Sequence, residues 1–289
     1  MDIPHLIDLH LHSNVSDGTD SPAELLDHVR EAGLGLFALT DHDGVKGCLG
    51  IRALLQPGDP FFLCGAEFSC RDEAGKYHIL GYGFDPEAGP IRALVENAHS
   101  LRMQKLRARL DFLRDTFGFR FSEEELRELL SMDNPGKPHI ANLMVRHGYA
   151  ETKELAIHEF INRIHFRREF LSPQQAIGAI LAAGGVPVLV HPSYGDGDQL
   201  ILGEEMDARL QRLTGFGLQG VEAYYSGFTA RLNREMLAFA ARYGLYVTAG
   251  SDYHGKNKLV RLGDTGLADA AEGPEGLRRF WDEMRKRLP

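Results

Sequence analysis

Short apolar runs alternate with amphipathic stretches along most of the chain. Seven runs predict strands: HLIDLHL (5–11), GLFALT (35–40), FFLCGAE (61–67), YHILGYGF (77–84), VPVLVH (186–191), LQGVEAY (218–224) and YVTAG (246–250). Between several of them, apolar positions recur at helical spacing, in PAELLDHVREAG (22–33), PQQAIGAILAAGG (173–185) and TARLNREMLAFAARYG (229–244). Strands that are apolar nearly throughout, separated by helices, predict a parallel sheet covered by helices. Seven of them favour closure into a barrel over an open sheet.

From residue 97 to residue 172 the alternation stops. Only helical patterns remain, over 97–117, 122–131, 138–148 and 152–164, and Ser122 with Glu125 three residues on forms a capped helix start. The expected fold is therefore of the α/β class: a (β/α) barrel built from residues 1–96 and 173–289, with a helical insertion at 97–172. Internal repeats and low-complexity tracts are not evident.

A chain of 289 residues has room for such a barrel with an inserted subdomain. Its net charge of −9 is unevenly spread, for the insert holds 13 Lys and Arg against 11 Asp and Glu, leaving 19 against 30 elsewhere. An acidic host lacks the basic face that duplex nucleic acid requires, but the insert is electropositive beside it. No apolar run reaches the roughly 18 residues of a membrane span. The start MDIPHLIDLH lacks a basic leader followed by an apolar core, so no signal peptide is expected. Cys48, Cys64 and Cys70 are odd in number and form no close metal-type pair, as expected of reduced core thiols in a cytoplasmic protein.

The chemistry collects at strand ends. DLHLH ends the first strand with His10 and His12, whose i, i+2 spacing points both side chains to one face. The second ends in TDHD, with His42 between Asp41 and Asp43, and the third in GAEFS, with Glu67. The fourth opens with YHILGYG and carries His78; the fifth ends in VLVHP with His191; the last ends in AGSDYH with Asp252 and His254. Each alone has an ordinary reading: Asp17 in SDGTD as a turn residue, His78 as a core histidine, His191 as a strand-end cap. Together, on the rim where parallel α/β folds assemble function, they point to metal. The donors are imidazole nitrogen and carboxylate oxygen without thiolate, which suits Mn²⁺, with Fe²⁺ and catalytic Zn²⁺ as alternatives. Nine ligands exceed the needs of one ion. Two or three divalent ions are expected, with Glu67 as the bridge.

The stretches DLHLH with the following SDG, LTDHD, GAE, YHILGY, HP and GSDYH resemble, in this order, the PHP family, the polymerase and histidinol phosphatase domain among the amidohydrolase-like barrels. The resemblance covers most of the chain outside the insert. It implies a distorted seven-stranded barrel and up to three ions. His10, His12, Glu67 and Asp252 would hold the first, Glu67, His78 and His191 the second, and Asp17, His42 and His254 the third. Through LRMQKLRARL, GKPHIANLMV and VEAYYSGFTARLN, the chain further resembles stand-alone bacterial members that act on nucleotides, among them a 3′,5′-nucleotide bisphosphatase and enzymes that trim short RNA from the 5′ end. The implied activity is metal-dependent hydrolysis of a nucleotide phosphate ester. The 3′-phosphate of a 3′,5′-bisphosphonucleotide would be released, leaving the nucleoside 5′-monophosphate, and short RNA would be a further substrate. A hydroxide bridging two ions, held at Glu67, His191 and Asp252, would attack phosphorus.

C–N bond hydrolysis of the amidohydrolase type is the alternative reaction, distinguished by the third site of Asp17, His42 and His254, from which a phosphate profits. A non-catalytic PHP scaffold would be expected to have lost ligands. Asp41 and Asp43 are the nearest spare carboxylates for orienting ligand imidazoles. In the insert, Arg102, Lys105 and Arg109 fall on one helical face. Asn134, Lys137 and His139 gather where Pro138 opens a helix whose free N–H groups favour anions. These residues, with Asp17, His42 and His254, are expected to bind a small nucleotide or short oligonucleotide, the insert acting as a lid.

Overall fold

The computed structural model describes residues 2–166, 169–195 and 199–287. Seven strands lie side by side in chain order: β1 (Ile7–Leu11), β2 (Leu36–Leu39), β3 (Phe61–Asp72), β4 (Gly75–Tyr82), β5 (Val186–Leu189), β6 (Gly220–Tyr225) and β7 (Tyr246–Gly250). β1, β2 and β5 are buried at every position, the condition of strands covered on both sides. Beyond β7 the chain bonds back to the end of β1. Asp252 N–H donates to His10 O and His12 N–H to Tyr253 O, each at 2.9 Å. Closure thus falls at the rim that carries the candidate ligands, giving a distorted (β/α) barrel of seven strands.

The all-parallel expectation fails at β4, which runs antiparallel to both β3 and β5. Only Glu73 and Ala74 separate β3 from β4, and a parallel neighbour needs a crossover of a dozen or more residues. β3 also continues to Asp72, past the expected end at 67, because it pairs with β4 up to that turn. The reversal explains an oddity of the sequence. A histidine near the start of β4 shares the rim with groups at the ends of parallel strands, with His78 opposite Ser69 and Leu80 opposite Glu67.

Side-chain caps start several helices. Ser21 and Glu24 form a capping box at α1 (Pro22–Glu31), and Ser172 with Gln175 repeats it at α7 (Pro173–Ala182). Three further helices of the barrel lie outside the sequence expectation. α2 (Lys46–Leu54) has no side-chain cap and contains two glycines, so its local signal is weak. α8 (Gly203–Gly215) and α10 (Glu275–Met284) are regular, α10 burying Leu277, Phe280, Trp281 and Met284 at helical spacing. α9 (Ala230–Tyr243) starts at the cap Thr229.

The helical segment begins earlier than 97, because α3 runs unbroken over Gly89–Phe117. Its first part places Ile91, Leu94 and Ala98 in the barrel core. Its second part places Leu106 and Leu113 in a separate apolar cluster with Leu129 of α4 (Glu123–Ser131), and Ile140 and Met144 of α5 (Lys137–Arg146). α6 (Lys153–Leu155) passes into a π turn at Ala156–Phe160, and Ala156 completes that cluster with Ile161. Polar contacts tie the segment to the barrel rim: Arg102 to Asp43, Asp133 to Lys46, and Lys153 Nζ to Asn257 Oδ1 at 3.1 Å. No helix among the described residues is long and apolar enough to cross a membrane.

Candidate metal centre

Glu67, 1% exposed, is the hub of the rim. Its Oε1 lies 2.5 Å from His78 Nδ1 and 3.0 Å from His191 Nε2, and its Oε2 lies 3.1 Å from His12 Nε2, 3.2 Å from His10 Nε2 and 3.3 Å from His42 Nδ1. Asp252 Oδ1 stands 3.4 Å from His12 Nε2 and from His254 Nδ1. Asp17 faces His254 Nε2 at 3.3 Å through Oδ1 and His42 Nε2 at 3.7 Å through Oδ2. All nine expected ligands therefore meet in one place. Their donor atoms form four overlapping groups, each within 4.8 Å: His12, Asp17, His42 and His254; His10, His12 and Glu67; His10, His191 and Asp252; His42, Glu67 and His78. The sharing differs from three separate sets, for His12 also joins Asp17, and His191 joins His10 and Asp252.

These residues fit divalent ions. Both ring nitrogens of His12, Asp17 Oδ1 and His42 Nδ1 are buried and make no well-formed hydrogen bond, although carboxylates and imidazoles surround them. Buried polar atoms are otherwise almost always paired. At these four atoms, potential donors to a cation converge without bonding one another, while Glu67 alone bonds His10, His78 and His191. Their ionisation agrees. Burial opposes charge on Glu67, Asp17 and Asp252, yet the surrounding imidazoles hold all three well below the usual carboxylate range. Burial lowers His42, and pushes His78 down to about 3 despite the adjacent Glu67. At His12 the carboxylates outweigh burial and raise the ring to about 9, so a cation binding there must displace a proton.

A layer behind the donors fixes them. Glu222 Oε1 accepts from His10 Nδ1 at 2.9 Å, and its Oε2 accepts from the His191 backbone N–H at 2.7 Å. Gly250 permits this, since a Cβ there would stand 2.2 Å from His10 Cβ and 2.6 Å from Glu222 Oε1. Asp41 accepts from Ser13 N–H and Oγ–H, both at 2.8 Å, and from Ser16 Oγ–H at 2.6 Å, holding the loop that carries Asp17. Asp43 pairs with Arg102 and accepts from Ser69 N–H at 3.0 Å. Neither Asp41 nor Asp43 thus bonds a ligand imidazole; that expectation is corrected in favour of Glu222. Its signal was legible as a lone carboxylate within the apolar run LQGVEAY. The fully buried Asp8 binds the N–H groups of Ser251 and Gly263 at 2.9 and 2.8 Å, joining β1 to the chain after β7. Asp43, His191 and Asp252 have φ of 52°, 31° and 58° and are the only non-glycine residues with positive φ among those described. Backbone strain therefore concentrates at this rim. Glu222→Gln is expected to weaken divalent-ion binding about 10–100-fold, as measured by chelator competition. Unchanged affinity would remove Glu222 from the support.

A cavity of about 810 Å³ opens from Asp17, His42 and His78 beneath the helical segment. Arg102, Lys105 and Arg109 of α3 line it, with Lys137 of α5 and, from the β3–β4 hairpin, Arg71 and Lys76. The sequence reading did not single out the hairpin pair. Lys105 Nζ sits 3.8 Å over the Phe170 ring, and Arg109 lies over Phe166 at 5.0 Å. Burial, with Arg102 and Arg109 nearby and against the pull of Asp43, lowers Lys105 to about 7. Lys137 Nζ donates to Asn162 Oδ1 at 2.6 Å. Two expected substrate contacts stand just beside the lining: Asn134 and His139 flank Gly136, Lys137 and Pro138, which line the cavity. Asn134 is buried against Gly44, and His139 Nδ1 accepts from Gly136 N–H at 3.0 Å, so its ring caps α5.

Residues 8–159 match the PHP domain, and the chain belongs to this family. It is 26% identical over 286 residues to a 3′,5′-nucleoside bisphosphate phosphatase of Chromobacterium violaceum, covering 98% of this chain and 97% of that protein. It is 29% identical over 260 residues to a phosphoribosyl 1,2-cyclic phosphate 1,2-diphosphodiesterase of Eggerthella lenta, covering 86% and 94%. The crystal structure of a putative metal-dependent phosphoesterase from Bifidobacterium adolescentis superposes with a TM-score of 0.80 at 26% identity, over 100% of this chain and 98% of that one. The protein is a metal-dependent phosphoesterase, a hydrolase of phosphoric ester bonds; the C–N alternative is set aside.

Proposed function

We propose that the protein removes the 3′-phosphate of a 3′,5′-bisphosphonucleotide, yielding the nucleoside 5′-monophosphate and phosphate. The observation that carries this reading is the cationic cavity beside the ligand cluster, which suits a substrate with a second phosphate away from the scissile one. The name of the Chromobacterium violaceum relative supports it. Short single-stranded RNA bearing a 5′-phosphate offers a similar pair of anions, and we include its trimming in the proposal. A duplex is outside the proposal, because a chain of net charge −9 lacks the extended basic face a duplex requires.

The nine ligands divide, in this reading, as His10, His12, Glu67 and Asp252 for one ion, Glu67, His78 and His191 for a second, and Asp17, His42 and His254 for a third. Mn²⁺ is the proposed metal for these nitrogen and oxygen donors. Held by these residues, divalent ions would supply positive charge against the phosphoryl oxygens and would acidify a water near Glu67, His191 and Asp252. Residues 97–172 act as the lid. Arg102, Lys105 and Lys137 grip the distal phosphate, and Arg109 adds its charge deeper in the cavity. Asp17 and His42 at the cavity wall, with His254 beside Asp17, orient the scissile group. Free, buried Cys48, Cys64 and Cys70 support action in the reducing cytoplasm.

A nucleotide panel assayed with Mn²⁺ for released phosphate tests the reading. A 3′,5′-bisphosphate should exceed the matching 3′-monophosphate about 100-fold in kcat/KM, since two charge-assisted contacts are each worth about 1.5 kcal/mol or more. Equal rates would sink the distal-phosphate assignment. His254→Asn should lower kcat for the bisphosphate about 10–100-fold, as expected of a ligand acting in the transition state. Undiminished turnover would count against a role for the third site.

A further inference from the structure

Asp252 differs from the other carboxylates of the cluster. Both oxygens of Glu67 and both of Asp17 face imidazoles, whereas only Oδ1 of Asp252 does. Its Oδ2 accepts from Lys258 Nζ at 2.5 Å and from Tyr225 O–H at 2.9 Å. Lys258 Nζ also donates to the Tyr225 oxygen at 3.0 Å, which closes a triangle of the three groups. Tyr225 ends β6 and is 7% exposed, so its hydroxyl is held by the barrel itself. Lys258 follows the short turn Gly255–Asn257, and its side chain is 33% exposed. Asp252 holds this pose at a φ of 58°, a backbone setting that needs support from its surroundings.

We propose that Lys258 and Tyr225 are positioning residues that leave Asp252 a single donor oxygen toward the ion cluster. A carboxylate with both oxygens free can chelate a cation through both, filling a coordination position that substrate would otherwise take. The ammonium prevents this and also withdraws negative charge from the ligand. Like charges repel across the few ångströms between Lys258 and any ion at Oδ1, so the device holds that ion less tightly and leaves it open to a phosphoryl oxygen. This inference rests on Asp252 being a ligand, as read above.

The test uses the full chain, stripped of metal and titrated with Mn²⁺ against a competing chelator, alongside kcat/KM on a phosphate ester. Lys258→Met should bind Mn²⁺ about tenfold tighter, on the order of one unit-charge contact at high effective dielectric, and yet lose catalytic efficiency. Tyr225→Phe, which keeps the ring in place, should move both quantities the same way by a smaller factor. Lys258→Arg should restore both toward wild type. A merely structural role would lower activity and metal affinity together. Unchanged or weaker Mn²⁺ binding in folded Lys258→Met and Tyr225→Phe overturns the proposal. Asp252→Asn serves as the control: if it binds Mn²⁺ as wild type does, the ligand reading falls and the proposal with it. If it loses binding while Lys258→Met is unchanged, this proposal alone is overturned.

Discussion

Glu67→Ala is expected to purify without its divalent ions and to lose phosphoesterase activity by about 10³-fold or more, because one side chain serves five imidazoles. His10, His12 and His42 converge on Oε2, while His78 and His191 converge on Oε1. Removing the carboxylate leaves those rings facing one another with their shared anion gone. Neutral rings cannot replace its charge for a cation, and protonated ones repel it. Elemental analysis after purification and a phosphate-release assay are the paired measurements. A variant that retains full metal content with normal turnover would show that Glu67 is not the bridge.

The second large effect concerns the cavity. Arg102→Ala and Lys137→Ala should each lower kcat/KM for a 3′,5′-bisphosphonucleotide about tenfold, the value of a charge-assisted contact of about 1.5 kcal/mol. The same variants should change a small aryl phosphate less than about threefold, because that substrate reaches the rim without filling the cavity. Arg102 needs a control. It neutralises buried Asp43, next to His42, so its removal also leaves a carboxylate unpaired beside a ligand. Asp43→Asn combined with Arg102→Ala should recover the aryl phosphate rate if that indirect route operates, and leave the bisphosphate loss in place. Lys137 bonds Asn162 on the lid itself. Equal losses on both substrates would mean that these cations support the fold or the metal rim rather than a distal phosphate.

Asp8, Asp41 and Glu222 show how a buried polar layer turns flexible loops into a rigid donor set. Asp8 ties β1 to the segment after β7, Asp41 ties the Asp17 loop to the end of β2, and Glu222 joins His10 to the His191 backbone. Each spans a junction between elements, which is where a ligand cluster built from separate strand ends needs its geometry held.

The sequence by itself determined the barrel and the nine histidines and carboxylates that gather on its rim. Apolar strands at regular intervals and ligand-type residues at their ends are local patterns, legible because strand period and donor chemistry are both written in neighbouring residues. It also revealed the electropositive helical segment and the common face of Arg102, Lys105 and Arg109. Tertiary structure alone decided the rest. The direction of β4 turned on a two-residue hairpin that the strand pattern does not mark, although the short spacing from the third strand to the fourth leaves no room for a crossover. That reversal brought Arg71 and Lys76 over the rim to complete the cavity with α3. Asn134 is buried against Gly44 and His139 Nδ1 caps the helix start, contacts that proximity in sequence does not reveal. Which carboxylate oxygen serves which imidazole, and the use of Glu222 to orient two histidines from distant parts of the chain, depend on contacts made only when the barrel closes. Such contacts are long-range and leave no periodic signal, so they appear only in three dimensions.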